Sequence, residues 1–314
     1  MYWEIGKGLP RATPAAATLP WSLVAAAVPS PLLSITPELE AQLAAWLAED
    51  LGRGDLTAPA LTGRQARAHW IAKQAGVFCG GVLVEPLFRL LDRQVQVRLL
   101  VAEGERVQPG QRLVELDGAA TALVAGERTA LNLAMGLSGV ATATAALVAQ
   151  LAGSGVGLAD TRKTTPGLRV LQKYAGRCGG GLNHRLGLDD AAMLKENHLA
   201  WAGGVEAAVA AVRSGAPWPA RLIVEAETAA EAEAAIAAGA DGVLLDEFSP
   251  AALAELVPRL RAQAAARGSA VVLEASGVQP EQLAAYAATG IDLISTSAPV
   301  TRSSWLDLSM RFEA

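Results

Sequence analysis

The chain has 314 residues, of which 52% are hydrophobic and 18% are charged, and its net charge is −5. This length suits one large domain or two medium ones, and the apolar content is enough for a substantial core. A mildly acidic chain gives no reason to expect nucleic acid or an anionic membrane as a partner. No uninterrupted apolar run reaches the roughly 18 residues of a transmembrane helix, so we also expect no membrane insertion.

The chain contains two cysteines, Cys79 and Cys178, which lie far apart in the sequence. Two such residues do not make a disulfide framework, and their spacing does not match a zinc motif. Free thiols of this kind act as small apolar groups in a reducing compartment. The sequence therefore predicts a cytoplasmic protein.

Residues 1–35 are rich in proline and alanine and show no regular periodicity. They lack the ordered basic region, long apolar run and cleavage site of a signal peptide, so we interpret them as a flexible extension or as the product of an over-long gene start. Regular patterning begins at Thr36, where a threonine N-cap, Pro37 and acidic residues in the first turn predict the start of a helix. Gly52 predicts its end.

Residues 36–126 predict an N-terminal α+β domain. After the first helix, short apolar segments are interrupted by glycine and proline, which is typical of antiparallel strands joined by tight turns. A stretch rich in alanine and leucine, Gly126–Gln150, then predicts a long helix. The predicted strands are Ala68–Lys73, Val95–Val101 and Arg112–Leu116.

Residues 127–314 predict a second domain, in which short apolar strands alternate with alanine-rich helices. This alternation indicates a parallel sheet with crossover helices, spaced as in an α/β barrel. The predicted strands are Val156–Ala159, Ala192–Leu194, Arg221–Glu225, Gly242–Leu245, Val271–Glu274 and Ile291–Ser295, and the predicted helices are Val205–Ser214, Ala229–Ala238, Pro250–Arg267 and Pro280–Thr289.

Polar residues follow nearly every strand of the second domain. In an α/β barrel the carboxyl ends of the strands form one face, and that face holds the active site. A doubly wound sheet would instead concentrate functional residues at one switch point, so the pattern favours a barrel. The strand-end segments are Asp160–Lys163, Lys195–His198, Glu225–Glu227, Asp246–Glu247, Glu274–Gly277 and Ser295–Ser297.

Positive charge is concentrated between residues 160 and 198, a window with three of the chain's five lysines and only four acidic residues. In an acidic protein, this local excess predicts a multiply anionic small ligand. We interpret Arg162, Lys163 and Lys195 as ligand-binding because they lie at strand ends. The i, i+4 spacing of three further cations predicts a solvated helix face; these are Arg169, Lys173 and Arg177.

A glycine-rich segment, Gly179–Gly181, precedes a histidine and an arginine. Three glycines allow the backbone to approach a ligand closely. Arg185 could grip a carboxylate bidentately, and His184 could add a second donor. His184 could equally be a hydrogen-bonded structural histidine.

The remaining strand ends also allow two interpretations. Glu225 and Asp246 could bind sugar hydroxyls and stabilise a cationic transition state, or they could pair with neighbouring cations. Ser276–Gly277 and Ser295–Ser297 could bind phosphate at the last two strands, or they could form ordinary turns. Together with the cations, they describe a site for carboxylates at one end, a sugar in the middle and a phosphate at the other end.

Five segments carry a resemblance to a known family: Ala48–Thr57, Gly126–Asn132, Asp160–Gly167, Gly179–Arg185 and Leu194–His198. In the order and spacing of these motifs, the chain resembles the quinolinate phosphoribosyltransferases, also called nicotinate-nucleotide pyrophosphorylases (carboxylating), of the type II phosphoribosyltransferase family. The resemblance extends over roughly residues 36–312.

The resemblance implies an N-terminal α+β domain and a C-terminal incomplete α/β (TIM-like) barrel. It implies an enzyme that converts quinolinate and phosphoribosyl pyrophosphate to nicotinate mononucleotide, CO2 and pyrophosphate in NAD biosynthesis. The implied cofactor is Mg²⁺, bound mainly through phosphoribosyl pyrophosphate. The implied assembly is a homodimer, or a hexamer of three dimers, with the site at the subunit interface.

The resemblance also implies roles for individual residues. Lys163, Glu225 and Asp246 would be catalytic, Arg128 would reach into the partner subunit's site, and no residue would be a dedicated metal ligand. The residues implied around quinolinate are Thr161, Arg162, Lys163, His184, Arg185, Lys195 and His198, and those implied around the ribose, diphosphate and phosphate are Glu225, Asp246, Ser276, Gly277, Ser295, Thr296 and Ser297.

The chain departs from the commonest family pattern near the phosphate turns. Ser297 stands where the family usually has glycine, and Val278 stands where a second glycine usually follows Ser276-Gly277. Glu247 stands where asparagine often follows the aspartate. Bulkier residues at these positions would alter the geometry of the phosphate site.

Three other functions fit parts of the pattern. A paralogue of the family associated with molybdenum transport shares the fold, although the set of Arg162, Lys163, His184, Arg185 and Lys195 favours quinolinate. A Schiff-base aldolase acting on a phosphosugar could use Lys163 or Lys195, but the α+β domain argues against it. A degenerate barrel could serve as a non-enzymatic assembly partner, which would bind ligand without turnover.

Overall fold

Residues 32–313 are described by a computed structural model of the chain. The extension predicted for residues 1–35 lies outside the described residues, apart from residues 32–35. Helix α1 (Pro37–Leu51) begins and ends as predicted. The Thr36 side chain accepts a hydrogen bond from the Leu39 N–H at 3.3 Å, and Gly52 follows the helix with a φ of +53°, which favours glycine.

The N-terminal half contains an antiparallel sheet, which confirms the α+β prediction for this region. Three of its strands are β1 (Gln65–Ala72), β3 (Gln96–Leu99) and β5 (Arg112–Ala119), with β5 between the other two. A two-stranded ribbon lies beside it, formed by β2 (Gly76–Val77) and β4 (Arg106–Val107). Helix α2 (Val84–Leu91) was not predicted.

The last strand, β12 (Leu308–Phe312), returns to the N-terminal sheet. It pairs with β1 in antiparallel register, with Met310 opposite Trp70. Leu308 and Met310 are buried in the N-terminal core. The sequence did not predict this return, because five alternating residues do not indicate which strand they pair with.

Helix α3 (Ala120–Gln150) crosses the predicted boundary between residues 126 and 127 and connects the two halves. Leu123 and Leu131 belong to the N-terminal core, whereas Leu147 belongs to the core of the C-terminal half. By length and composition alone this helix could cross a membrane, but half of its apolar window is buried inside the protein. We interpret it as a core helix shared by both halves.

The C-terminal half is built on six parallel strands: β6 (Gly157–Ala159), β7 (Ala191–Leu194), β8 (Arg221–Ala226), β9 (Gly242–Asp246), β10 (Val272–Ser276) and β11 (Leu293–Ser295). Their order is β6-β11-β10-β9-β8-β7. Within residues 32–313, the edge strands β6 and β7 do not pair with each other, so the barrel is incomplete, as the resemblance implies. The central strand β9 is buried from Gly242 to Leu245, as expected for a strand covered on both faces.

Helices pack around this sheet. They are α4 (Arg169–Cys178), α5 (Glu196–Ala202), α6 (Val205–Gly215), α7 (Ala229–Ala238), α8 (Pro250–Ala266), α9 (Leu283–Ala287) and α10 (Ala298–Thr301). The predicted helix Pro280–Thr289 is instead a 3₁₀ turn, Pro280–Gln282, followed by α9. Helix α5 was not predicted, because seven residues are too few to show a helical period.

Candidate active site

The carboxyl ends of the parallel strands bring the predicted site residues to one mouth of the barrel. The register places Ser276 beside Asp246 across β10 and β9, and Ser295 beside Ala159 across β11 and β6. An ion pair between Lys195 and Glu225 joins the ends of β7 and β8. Residues that are far apart in the sequence therefore share one surface, as expected for an α/β barrel.

Asp160, which follows β6, organises the polar network below this mouth. One carboxylate oxygen pairs with the Lys173 ammonium and accepts the His184 N–H at 2.8 Å. The other oxygen accepts the Asn183 side-chain N–H at 2.7 Å. Lys173 also donates to the His184 carbonyl at 2.9 Å, so the network fixes the backbone of the loop that carries His184 and Arg185.

The environment of Lys173 contradicts the prediction of a solvated helix face. Its side chain is only 3% exposed, and it points inward to Asp160. The i, i+4 spacing of the three cations identified a shared helix face, but it did not identify the carboxylate on which that face packs. Lys173 is therefore a structural cation that positions the loop above it.

Two arginines lie close together at the cationic side of the mouth. Burial lowers the pKa of the Arg185 guanidinium, and the positive charge of Arg162 lowers it further. The Arg162 Nε is buried and has no hydrogen-bond partner among the described residues. A buried donor without an acceptor is unfavourable, and an anion at this position would satisfy it.

Lys163 follows Arg162 at the same strand end and is exposed. Its backbone N–H donates to the Thr161 hydroxyl at 3.0 Å, which shapes the turn after β6. None of the ion pairs among residues 32–313 involves Lys163, so its ammonium group is free to contact a ligand. Thr161 contributes to the site through this turn.

His184 accepts one hydrogen bond through its ring and lies close to a buried carboxylate, to which its Nε2 forms no hydrogen bond. Its Nδ1 accepts the Arg185 backbone N–H at 2.7 Å, so in the neutral ring the proton is assigned to Nε2 from the hydrogen-bond network. The Nε2 atom lies 3.3 Å from an oxygen of Glu274 on β10. Glu274 is 3% exposed, and its other oxygen has no hydrogen-bond partner among the described residues.

Lys195 and His198 occupy different positions at the end of β7. The Lys195 side chain is half exposed and pairs with Glu225. His198 is exposed, and its Nδ1 accepts the Lys195 backbone N–H at 3.1 Å, which caps the start of helix α5. This bond engages one ring nitrogen of His198 and leaves Nε2 available to a ligand.

An acidic group adjoins the cations at the ends of β7, β8 and β9. The pKa of the exposed Glu227 is raised, first by the negative charge of Glu196, then by slight desolvation and by the charges of Glu231, Asp246 and Glu225. The shift indicates that these carboxylates repel one another across the ends of β7, β8 and β9. Carboxylate oxygens at this density suit a hard divalent cation or the hydroxyl groups of a sugar.

The predicted phosphate turns follow β10 and β11. Gly277 has a φ of +76°, which requires glycine or strain. Ser295 is buried, and the Thr296 N–H donates to the Ala159 carbonyl at 3.0 Å. The Thr296 hydroxyl accepts the Ala298 N–H at 3.2 Å and keeps its own proton to donate. Ser297 directly precedes α10.

Glu247 packs against the first of these turns. A side-chain carbon at Gly277 would lie 3.0 Å from the Glu247 carboxylate. Glu247 has a φ of +59°, and it is the only residue other than glycine with a positive φ among the described residues. Such strain is retained where the surrounding structure demands a particular geometry. Glu247, which stands where the family often has asparagine, therefore lies beside the predicted phosphate turn.

Arg128 lies on the exposed surface of helix α3. No hydrogen bond or ion pair between described residues links it to the mouth of its own barrel. The sequence motif around Arg128 is thus separate from the other predicted site residues within one chain.

Glu274 was not singled out from the sequence as a site residue. It lies in a segment that was interpreted as a phosphate turn, and the pattern of an apolar strand does not show which face a residue occupies. The alternation along β10 could have indicated it, because Glu274 lies two residues before Ser276 and shares its side of the strand.

Comparisons with known proteins cover nearly all of the described chain. Residues 55–138 match the family "Quinolinate phosphoribosyl transferase, N-terminal domain", and residues 140–311 match "Quinolinate phosphoribosyl transferase, C-terminal domain". A "Probable nicotinate-nucleotide pyrophosphorylase [carboxylating]" of Synechocystis sp. is 44% identical over 90% of this chain and 96% of its own length. The human "Nicotinate-nucleotide pyrophosphorylase [carboxylating]" is 37% identical over 88% of this chain and 92% of its own.

Solved structures of proteins with these names are also similar to this chain. The nicotinate-nucleotide pyrophosphorylase of Francisella tularensis has a TM-score of 0.83 and 35% identity, and the match covers 91% of this chain and 100% of that protein. NadC of Streptococcus pyogenes has a TM-score of 0.83 and 35% identity, with 89% and 98% covered. Both halves of the fold therefore match as one unit.

Proposed function

The chain belongs to the quinolinate phosphoribosyltransferase family, and we propose that it converts quinolinate and phosphoribosyl pyrophosphate to nicotinate mononucleotide, CO2 and pyrophosphate in NAD biosynthesis. One observation carries the proposal beyond family membership. Arg162 and Arg185 lie together, and neither forms an ion pair within residues 32–313, at the same barrel mouth as the acidic group around Glu225 and Asp246. A dianionic ring and a sugar with a departing diphosphate need these two environments side by side.

The cationic side of the mouth suits the two carboxylates of quinolinate. Arginine binds carboxylates in a planar, bidentate geometry, and the buried Arg162 Nε supports such a contact. Lys163, Arg185 and Lys195 add positive charge, and Thr161 shapes the turn beneath them. In this proposal His184 acts mainly by positioning Arg185 through their shared hydrogen bond, and the exposed His198 contributes at the rim.

The acidic side suits phosphoribosyl pyrophosphate and its metal. Glu225 and Asp246 would accept hydrogen bonds from the ribose hydroxyls. The carboxylate oxygens of Glu225, Glu227 and Asp246 fit Mg²⁺, which prefers oxygen ligands and is held mainly through substrate phosphates. When bound there, Mg²⁺ would neutralise charge on the leaving diphosphate. The 5′-phosphate would lie at the turns formed by Ser276, Gly277 and Ser295–Ser297.

The residues of the chain then act by orientation and electrostatics. The cations hold the pyridine nitrogen towards the anomeric carbon, which converts the encounter into a positioned reaction. Glu225 and Asp246 stabilise the positive charge that develops on the ribose. Once the nitrogen is ribosylated, the bond between C2 and its carboxylate breaks and CO2 leaves. The adjacent cationic nitrogen stabilises the electron pair left on C2, which then takes a proton from solvent. Lys163 would stabilise the dicarboxylate before this step, and no covalent enzyme intermediate is needed.

We further propose a homodimer, or a hexamer of three dimers, in the cytoplasm. The exposed Arg128 would complete the partner subunit's site. Exposed apolar side chains close to the mouth support an interface there, since Leu188 is 73% and Trp201 is 84% exposed. The free, buried thiols are consistent with a reducing compartment.

The direct test is CO2 release from carboxyl-labelled quinolinate, with and without phosphoribosyl pyrophosphate and Mg²⁺. We expect release only when both are present, together with stoichiometric nicotinate mononucleotide. Absence of release from folded protein would overturn the proposal. The next step would then be a screen of other pyridine and purine acceptors, as expected for the molybdenum-associated paralogue.

The residue assignment is tested with Arg162→Ala and Lys163→Ala. We expect each to reduce kcat/KM for quinolinate by at least about 100-fold, the loss of roughly 2.7 kcal/mol of charge-assisted binding. Arg221→Ala is the matched control, because Arg221 is exposed and lies at the opposite end of β8. Near-normal turnover in both site variants would contradict the assignment.

A further inference from the structure

The two cysteines meet in the folded chain, although their sequence spacing predicted no metal site. Cys79 lies just after β2, Cys178 ends helix α4, and Glu103 lies between β3 and β4. The two sulfur atoms and a Glu103 carboxylate oxygen all lie within 4.8 Å of one another. Cys79 is fully buried and Cys178 is 8% exposed. This cluster is separate from the barrel mouth.

Glu103 is held in place by the backbone. One carboxylate oxygen accepts the Gly80 N–H at 2.9 Å, and the other accepts the Val82 N–H at 3.0 Å. The Cys178 thiol approaches the first of these oxygens at 3.8 Å. Each oxygen retains a second lone pair, so the carboxylate can bind a cation while these N–H groups orient it, as supporting hydrogen bonds commonly do at metal sites.

Glu103 is the acidic group of this cluster, and the Tyr174 hydroxyl lies beside it. No lysine or arginine forms an ion pair with Glu103 among the described residues. A divalent ion at this position would supply the missing positive charge.

We propose that Cys79, Cys178 and Glu103 bind a thiophilic divalent ion, of which Zn²⁺ is the fitting example. Two sulfurs and one carboxylate oxygen are zinc ligands, and a fourth ligand would complete a tetrahedral site. The Tyr174 hydroxyl, beside Glu103, or a water molecule is a candidate for that position. Soft sulfur ligands select Zn²⁺ over Mg²⁺, so the ion required by the diphosphate does not compete here.

The position of the cluster gives the ion a structural role. Cys79 and Glu103 belong to the N-terminal half, whereas Cys178 belongs to α4, which carries Lys173. The segment directly after Cys178 leads through Gly179–Gly181 to His184 and Arg185. An ion would therefore cross-link the two halves and fix the start of the cationic loop, and each thiol would release its proton to solvent as its sulfur binds.

The test uses reduced, metal-free full-length protein titrated with Co²⁺. We expect a thiolate-to-cobalt charge-transfer band that saturates at one equivalent per chain and disappears when Zn²⁺ is added. Because two protons are released, the apparent affinity should rise with pH. Zn²⁺ should also raise the melting temperature, whereas Mg²⁺ should produce neither effect.

Variants identify the ligands. Cys79→Ser and Cys178→Ser should each abolish the band, and Glu103→Gln should weaken Zn²⁺ binding by at least tenfold. Glu105→Gln is the matched control, because Glu105 is an exposed acidic residue of the same turn and should bind Zn²⁺ normally. The wild-type titration remains decisive where a variant fails to fold.

Two results would overturn the proposal. The first is reduced protein that shows no charge-transfer band and no thermal shift with Zn²⁺, which would leave the thiols as hydrogen-bond partners of Glu103. The second is protein purified without reductant that contains no free thiols after denaturation, which would indicate a Cys79–Cys178 disulfide. Neither result depends on the phosphoribosyltransferase activity, so the two proposals are tested independently.

Discussion

Lys173 and Asp160 form a buried ion pair beneath the mouth of the barrel. Removing one partner of such a pair leaves an uncompensated charge in a poorly solvated position. We expect Lys173→Met to lower the free energy of unfolding by about 3–5 kcal/mol, because Asp160, whose side chain is only 15% exposed, would lose its ammonium partner. Denaturant titration followed by circular dichroism measures this change.

The matched control for that variant is Lys73→Met. Lys73 lies 3.8 Å from Asp307, and both side chains are about half exposed, so this change should cost less than about 1 kcal/mol. Equal effects of the two substitutions would mean that the Lys173 pair contributes no more than a surface pair. Restoration of stability by adding Asp160→Asn to Lys173→Met would support the buried-charge explanation.

The residues around the barrel mouth show how much can be predicted from the sequence about single side chains. Residue type and position at strand ends predicted that Arg162, Lys163 and Lys195 belong to the site, because strand ends of a parallel sheet converge. The contact partners of buried charged residues were not predictable from the sequence. The burial of Lys173 depends on Asp160, and the burial of Glu274 depends on His184, and both pairs are contacts between distant parts of the chain.

At the scale of secondary-structure elements, the contact between α4 and α3 fixes the position of the loop that carries His184 and Arg185. Gly179 lies at this contact, and a side-chain carbon there would clash with the Ala141 carbonyl oxygen and lie 2.6 Å from Thr144 Cβ. We expect Gly179→Ala to destabilise the protein by about 1–3 kcal/mol through overpacking. We also expect a higher KM for quinolinate, because Arg185 would shift with the loop.

Gly176→Ala provides the control on the same helix. Nothing lies within 4 Å of a side-chain carbon built at Gly176, and alanine favours a helix over glycine by about 0.5–1 kcal/mol. This variant should melt at the same or a slightly higher temperature and keep its KM. If both glycine variants behaved alike, the packing of α4 on α3 would not control the loop.

Most elements of the barrel were predictable because each strand is an apolar run followed by a polar strand end. Helix α7 has the predicted bounds, Ala229–Ala238, since Thr228 and Gly239 mark its two ends. Strand β12 was not predictable, because its five residues pair with a strand near the other end of the chain. Long-range pairing leaves no local pattern in a sequence.

At the scale of the whole molecule, the mouth of the incomplete barrel lies at the surface and is not covered by the described residues of the same chain. Arg128 is exposed on α3 and has no hydrogen bond or ion pair to the mouth among residues 32–313. The exposed Leu188 and Trp201 lie on segments that follow the cationic loop and β7. These features are explained together if a second copy of the chain covers the mouth and contributes Arg128.

A heterodimer distinguishes this arrangement from a self-contained site. Arg128→Ala and Lys163→Ala chains with different affinity tags are co-expressed, and the mixed dimer is isolated. In a dimer with two-fold symmetry, one site would contain both lesions and the other would contain none. We therefore expect about half of the wild-type turnover per dimer, although each homodimeric variant should be nearly inactive.

Arg162→Ala mixed with Lys163→Ala is the control, because both substitutions lie on the same chain's side of the site, so that every site in the mixed dimer remains damaged. No recovery in the Arg128 mixture would place Arg128 outside the partner subunit's site, whereas recovery in the control would mean that Arg162 and Lys163 do not belong to the same chain's side of the site.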